Sequence, residues 1–212
     1  CEVSFSSQVV TVDKGTAAYV AVPAYLSRAF RHTSIYVRTD TGIRTPADLA
    51  GRRIGLAEYQ LTANVWARAI LEDDHGVKPT DVTWVRGGME QPGRPEKIRL
   101  DLPPEIRLES APEGRSLNDL LAAGEIDGFM GPRTLSCFDR GHPHVARLFA
   151  DPTAAAADWY RRTGIFPIMH LLGVRRTLAD AHPWLPAALL KAFTRSKETA
   201  LAQLAETRAQ GS

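Results

Sequence analysis

The fold is decided by the stretch RIGLAEYQLTANVWARAIL, residues 53–71. Its first five residues are mostly apolar and predict a buried β-strand. A short polar loop follows, and Thr62 is predicted to cap a helix whose apolar stripe includes Val65 and Ile70, with Trp66 at its edge. A strand that leads through a short loop into a helix is the repeating unit of α/β folds.

The flanking sequence continues this alternation of strands and helices. Thr45-Pro46-Ala47-Asp48 has the pattern of a capping box at a helix start, and Ser116-Leu117-Asn118-Asp119 has a second one. Apolar runs at residues 82–85 and 126–130 predict two further strands, and residues 185–204 predict a terminal helix. The chain is therefore predicted to be α/β rather than all-α or all-β.

Two α/β lobes are expected, because the chain can cross between them twice. Residues 1–40 and 163–212 are predicted to form lobe 1, and residues 41–162 are predicted to form lobe 2. Two crossings make a hinge, and a ligand is expected in the cleft between the lobes. Within lobe 2, residues 87–114 are rich in Pro, Gly and charge and are predicted to be mostly loop.

Composition narrows the classes of partner. The chain has 212 residues with a formal net charge of +2, so no nucleic-acid surface is expected. No apolar run approaches the roughly 18 residues that a membrane span needs. Cys1 and Cys137 make a weak case for a disulfide, and the compartment stays open. Small molecules are the expected partners.

The start of the predicted helix is one candidate ligand site. Peptide N–H groups at a helix start bind carboxylates or phosphates, because they point outward at the positive end of the helix dipole. Glu58, Tyr59, Gln60 and Thr62 lie there, and the last three would add side-chain donors. The alternative is an ordinary strand-to-helix loop with a good cap.

Arginines and histidines supply further candidates. Arg28, Arg31 and His32 precede a short strand and could clamp an acidic ligand, or form a solvated basic turn. Arg133 follows the strand at 126–130, where the carboxyl end of a strand in an open sheet faces the ligand; the alternative is a surface turn. His170 ends an apolar run and is expected either to line the cleft or to be hydrogen-bonded in the core.

These segments together resemble a known family. The motifs SRAFRH (residues 27–32), EYQLTANVW (residues 58–66) and TGIFPIMH (residues 163–170) are similar to those of the 4,5-dihydroxyphthalate decarboxylase family. The weaker segments at 43–51 and 124–127 agree with them. The resemblance covers residues 1 to about 204 and implies the fold of type II periplasmic binding proteins, especially carriers of thiamine precursors and sulfonates. Family chains are longer at both ends, which implies further chain before Cys1 and after Ser212.

The resemblance also implies a reaction, the decarboxylation of a hydroxylated aromatic carboxylate similar to 4,5-dihydroxyphthalate. A general acid would protonate the ring carbon that loses its carboxylate. No metal-ligand cluster is visible in the sequence, and we expect no cofactor. The implied roles are acid catalysis by His32 or His170, proton acceptance by Glu2, anchoring of a carboxylate by Arg31 and Arg133, ligand contact by Ser6 and Ser7, and ring stacking by Trp66 and Phe166.

A non-catalytic alternative is equally compatible with this set of residues. A solute-binding protein of an ABC transporter could use the same arginines and helix start to carry a small aromatic or heterocyclic acid. The enzyme would be cytoplasmic and the carrier periplasmic, so a signal peptide upstream of Cys1 would favour the carrier. A homodimer is one oligomeric state that the sequence leaves open.

Overall fold

A computed structural model of the chain describes residues 1–210. Strands and helices alternate through most of this part of the chain. The strands are β1 (Glu2–Ser4), β2 (Tyr19–Arg28), β3 (Ile35–Arg38), β4 (Arg53–Leu56), β5 (Thr83–Arg86), β6 (Arg107–Ser110), β7 (Gly128–Met130), β8 (Val145–Arg147) and β9 (Ile168–Arg175). The α-helices are α1 (Phe5–Asp13), α2 (Thr62–His75), α3 (Leu117–Ala123), α4 (Ser136–Asp139), α5 (Pro152–Thr163), α6 (Arg176–Ala181) and α7 (Leu185–Gln210).

The chain divides into two compact units and crosses between them twice. Unit 1 contains Cys1–Arg28 and Ile168–Ser212, and unit 2 contains Ala29–Pro167. The second boundary lies close to the predicted one. The first lies earlier than residue 40, because β3 pairs with β7 and β8 and so belongs to unit 2. Two units joined by two crossings, each with its own sheet, confirm the predicted α/β class.

Unit 1 is built on a three-stranded sheet in the order β1-β9-β2, and both outer strands run antiparallel to β9. One apolar cluster joins Val22, Leu172 and Val174 to Ala179 of α6 and to partly buried leucines at the start of α7. Burial of these side chains is the main term that holds the helices on the sheet. Beyond residue 190, the described part of α7 is exposed to solvent.

Unit 2 is built on a six-stranded mixed sheet in the order β6-β5-β4-β7-β3-β8. Strands β6, β5, β4 and β7 are parallel, whereas β3 runs antiparallel to both of its neighbours. Fully buried Ile54, Leu56 and Trp84 lie in one core cluster, and Leu117 and Phe129 lie in another. Because the central parallel strands are covered on both faces, they appear in the sequence as continuous apolar runs rather than as alternating ones.

The local patterns of the sequence are largely confirmed. Both capping boxes form: the Asp48 carboxylate accepts from the Thr45 N–H at 2.7 Å, and Ser116 Oγ accepts from the Asp119 N–H at 3.1 Å. The first box opens a single turn of 3₁₀ helix at Pro46–Leu49. The prediction that Thr62 caps α2 is wrong, because Leu61 holds the cap position and Thr62 is already the first helical residue.

No helix among residues 1–210 is long and apolar enough to cross a membrane. Both cysteines are free: Cys1 is exposed, and Cys137 is buried in unit 2.

Replacing Ser116 by Ala should lower the free energy of unfolding by about 1 kcal/mol, because it removes the oxygen that accepts from the first turn of α3. Urea denaturation followed by the fluorescence of Trp84, which is buried in the same unit, measures the change. Thr153→Ala, on the exposed side of α5, is the matched control and should shift stability by less than about 0.5 kcal/mol. Equal effects in the two variants would contradict the assignment.

Candidate functional site

The first group of predicted site residues lies in unit 1 and centres on a carboxylate–imidazole pair. Glu2 Oε1 lies 2.6 Å from His170 Nδ1, and the two side chains are 52% and 42% exposed. Strand register explains the meeting: Ser4 pairs with His170 and Glu2 pairs with Leu172, so Glu2 lies diagonally across from His170 on the same sheet face. Both predicted residues are therefore brought together.

This pairing fixes what the imidazole can do. A carboxylate at one ring nitrogen accepts the proton held there and orients the ring. The other nitrogen, Nε2, is then the one that can pass a proton to a bound molecule. A partly exposed imidazole held in this way is a suitable general acid.

The other candidates of unit 1 lie on neighbouring elements. Ser6 and Ser7 are in the first turn of α1, and the Ser7 carbonyl accepts from Thr11 Oγ at 2.9 Å. Arg28 ends β2, and its guanidinium lies 5.1 Å from the centre of the Tyr25 ring in a cation–π contact. Ligand contact by Ser6, Ser7 and Arg28 stays a prediction.

The second group lies in unit 2 at the start of α2, where a carboxylate of the protein itself is bound. The Tyr59 N–H donates to Glu96 Oε1 at 3.0 Å. Glu58 is fully buried, and its Oε1 accepts from Arg94 Nε at 2.9 Å. Gln60 donates to the other Glu58 oxygen at 3.2 Å. The side chains of Glu58 and Gln60 therefore build the loop, while the peptide N–H of Tyr59 holds an anion.

A buried arginine completes the charge pattern at this position. Arg68, on α2, places its guanidinium carbon 3.8 Å from the centre of the Tyr59 ring. Burial lowers the pKa of Arg68 to about 10, so the group is still charged at neutral pH. Burial also raises the pKa of the Tyr59 phenol, which keeps it neutral. The Tyr59 ring thus has a cation over one face, and the peptide N–H of the same residue donates to a carboxylate.

An aromatic cluster in unit 2 contains several predicted residues. Phe166 stacks on Phe30 at 4.8 Å with an interplanar angle of 16°, and Trp66 meets Trp159 edge-on at 6.4 Å. His32 is only 2% exposed and touches Trp159 and Phe149 edge-on. Phe166 and Trp66 thus already have aromatic neighbours, and stacking on a ligand ring would use the remaining exposed surface of each.

Electrostatics distinguish His32 from the paired His170. Desolvation by burial is the largest effect on His32 and lowers its pKa, and the attraction of Asp74 only partly offsets it. Its Nδ1 is buried without a hydrogen-bond partner among the described residues. Neighbouring Arg31 is also partly buried, which lowers the pKa of its guanidinium. His32 is thus held neutral in an apolar surrounding.

Arg133 lies where the strand pattern predicted it, three residues past the end of β7. Its side chain is exposed, and within residues 1–210 it forms no ion pair or hydrogen bond. Gly131 lets the chain turn there, since a Cβ at that position would lie 2.5 Å from the Phe129 ring. Arg133 is therefore an accessible cation, and its contact with a ligand stays a prediction.

Sequence reasoning missed Arg68, Arg94 and Glu96. Arg94 and Glu96 lie in the stretch predicted as loop, more than thirty residues along the chain from their partners. One signal could have found them: Glu58 follows an apolar strand directly, and a carboxylate buried there requires a cation. The loop of residues 87–106 offers arginines for that purpose.

Comparison with known proteins agrees with this picture. A family model described as NMT1/THI5 like matches residues 3–93. A 4,5-dihydroxyphthalate decarboxylase from Comamonas testosteroni is 61% identical over 209 residues, covering 99% of this chain and 63% of the relative. A protein of the same name from Pseudomonas putida is 59% identical over 161 residues, covering 76% of this chain and 62% of the relative. The chain thus spans less than two thirds of the length of either relative.

Solved structures of sulfonate-binding proteins also show a likeness. The aliphatic sulphonate binding protein SsuA from Escherichia coli is 17% identical with a TM-score of 0.47, covering 98% of this chain and 57% of its own. The alkanesulfonate-binding protein SsuA from Xanthomonas axonopodis pv. citri, bound to MOPS, is 16% identical with a TM-score of 0.45, covering 98% and 61%.

The fold defines a class: an α/β protein of two compact units, each built on its own sheet. Within that class, the chain is similar to two proteins named 4,5-dihydroxyphthalate decarboxylase, at 61% identity over 99% of its length and at 59% identity over 76% of it.

Replacing Arg94 by Met should lower the free energy of unfolding by about 3 kcal/mol, because it leaves the Glu58 carboxylate buried without its cation. The matched control is Arg53→Met, which breaks the exposed pair with Glu109 and should cost less than about 1 kcal/mol. Urea denaturation of both variants measures the difference. Equal losses would show that the Glu58–Arg94 pair adds nothing beyond a surface ion pair.

Proposed function

We propose that this chain carries the decarboxylation of a hydroxylated aromatic carboxylate of the 4,5-dihydroxyphthalate type, with His170 as the general acid. The observation that carries the proposal is the 2.6 Å contact between Glu2 Oε1 and His170 Nδ1. The likeness to two relatives supports the reaction class, because both are named for this decarboxylation.

The reaction needs one proton delivered to carbon. A ring hydroxyl para to the leaving carboxylate pushes electron density onto the carbon that bears it, and that carbon forms a new C–H bond. The C–C bond to the carboxylate then breaks, its electron pair restores the aromatic ring, and neutral carbon dioxide leaves. The proton consumed comes from Nε2 of protonated His170, which regains it from water.

Glu2 orients the acid in this scheme. Its contact with Nδ1 holds the ring so that Nε2 is the nitrogen that faces the bound molecule. The exposure of both side chains lets the imidazole regain a proton from solvent after each turnover. Glu2 is thus a positioning residue for the acid in this proposal, rather than the proton acceptor that the resemblance first implied.

The carboxylate that is retained needs a cation. Arg28, at the end of β2, is the candidate in the same unit as His170. A guanidinium matches a carboxylate in bidentate geometry. Ser6 and Ser7 are further candidates for ligand contact in unit 1, whereas Arg31 and the exposed Arg133 are candidate carboxylate ligands of unit 2.

His170→Gln should lower the rate of carbon dioxide release from 4,5-dihydroxyphthalate by about 10²–10⁴-fold, the usual contribution of a general acid. Glu2→Gln should give a smaller loss, because it weakens the contact that orients the His170 ring. The histidine control is His182→Gln, whose ring is exposed before α7 and should be dispensable. Full activity of the His170→Gln variant would show that His170 is not the general acid. Loss of activity in His32→Gln alone would assign that role to His32.

Arg133→Gln should weaken binding of phthalate by about 1–3 kcal/mol, the usual value of a hydrogen bond to a charged group. Isothermal titration calorimetry of the purified chain measures the dissociation constant. Arg140→Gln removes another exposed arginine of the same region and is the control. A dissociation constant unchanged by Arg133→Gln would place Arg133 outside the site. Phthalate binding with no carbon dioxide release from the dihydroxy compound would favour a carrier over an enzyme.

A further inference from the structure

The carboxylate of Glu96 lies in the position that a ligand carboxylate would take at the start of α2. Its Oε1 accepts from the Tyr59 N–H at 3.0 Å, although Glu96 comes from the loop of residues 87–106, 37 positions further along the chain. This loop lies between β5 and β6 and lacks helices and strands of its own. The Tyr59 N–H, in the loop that leads into α2, therefore already holds an anion, which the protein provides.

A second observation marks the same place as an anion position. Arg68 is only 8% exposed, and its Nη1 has no hydrogen-bond partner among the described residues. The Glu96 charge attracts this guanidinium. A buried cation requires a nearby anion, because an uncompensated charge is costly in an apolar surrounding. The Tyr59 N–H and Arg68 together thus form a position that favours a carboxylate.

Glu96 is held there incompletely. Its second oxygen, Oε2, is buried with no hydrogen bond, and the nearest cation it faces is Arg86 Nη1 at 3.8 Å. The neighbouring Arg94, by contrast, donates from two nitrogens to Glu58. The loop is therefore fastened mainly at Arg94, whereas Glu96 has one good hydrogen bond and one long ion pair.

Space exists for Glu96 to move. A cavity of about 350 Å³ is lined by Glu96, Arg86, Arg99, Pro95 and leucines of the same loop and of β6. A rotation of the side chain into this cavity would bring its carboxylate toward the arginines on the cavity wall. The Tyr59 N–H would then be free to donate to a different anion.

We propose that Glu96 is an internal competitor, which occupies the anion position at the start of α2 until a carboxylate ligand replaces it. The ligand's carboxylate would take the Tyr59 N–H and the buried charge of Arg68, and Glu96 would turn toward Arg86. The identification of that ligand as an aromatic carboxylate rests on the function proposed above. The competition itself rests only on contacts within unit 2.

The test is calorimetric binding of phthalate to the purified chain and its Glu96→Gln variant. If Glu96 occupies the position in about nine molecules of ten, removal of its charge should lower the dissociation constant about tenfold. Glu105→Gln, an exposed glutamate of the same loop, is the control and should leave the constant unchanged. An unchanged or higher dissociation constant in Glu96→Gln overturns the proposal, as does the absence of phthalate binding to any variant.

Melting temperatures of the same variants show whether each one folds. If Glu96→Gln does not fold, Glu96→Asp decides the question, because its shorter side chain withdraws the carboxylate from the Tyr59 N–H while keeping the charge in the loop. Glu96→Asp should also tighten phthalate binding, and unchanged binding would overturn the proposal.

The outcome is separable from that of the proposed reaction. Suppose that Glu96→Gln binds phthalate more tightly and that the unmodified chain releases no carbon dioxide. This result would support competition by Glu96 and contradict the proposed decarboxylation. Suppose instead that the unmodified chain releases carbon dioxide and that Glu96→Gln does not change phthalate binding. This result would support the proposed decarboxylation and contradict competition by Glu96.

Discussion

The structure of unit 2 depends on one buried charge, the carboxylate of Glu58. A fully buried carboxylate is tolerated only where a cation and hydrogen-bond donors surround it, and here Arg94 and Gln60 provide them. The Glu58 carbonyl is also used, since Asn64 donates to it at 2.9 Å from the first turn of α2. The conformation between β4 and α2 is therefore set by this single residue and its partners.

That constraint links the candidate anion position to a distant loop. Because Glu58 needs Arg94, residues 87–106 are held beside α2, and Glu96 follows Arg94 by two positions. The loop thus brings a carboxylate to the Tyr59 N–H as a consequence of neutralising Glu58. Charge compensation in the core and occupancy of the anion position therefore have a common origin. A loop that seemed a mere connection in the sequence determines the electrostatics at the helix start.

The sequence predicts contacts between residues that are close along the chain better than contacts between residues that are far apart along it. The capping boxes at Thr45 and Ser116 involve residues three positions apart, and both were predicted correctly. Ligand binding at the α2 start stays a prediction, whereas the contact of Glu96 with the Tyr59 N–H was not predicted, because Glu96 is 37 positions away. The first crossing was placed too late, since only pairing with β7 and β8 assigns β3 to unit 2. The meeting of Glu2 with His170 likewise depends on strand register, although both residues were candidates.

The contrast between His32 and His170 shows why exposure matters for an acid. Each turnover consumes a proton, so the group must be protonated at the working pH and must be recharged from solvent. Burial lowers the pKa of His32, which therefore stays neutral as the pH falls through the range in which an ordinary histidine gains its charge. Its Nδ1 is also enclosed among aromatic rings. His170 has a carboxylate beside it to orient the ring and an exposed side chain to exchange protons. The same residue type thus serves packing at one position and fits proton transfer at the other.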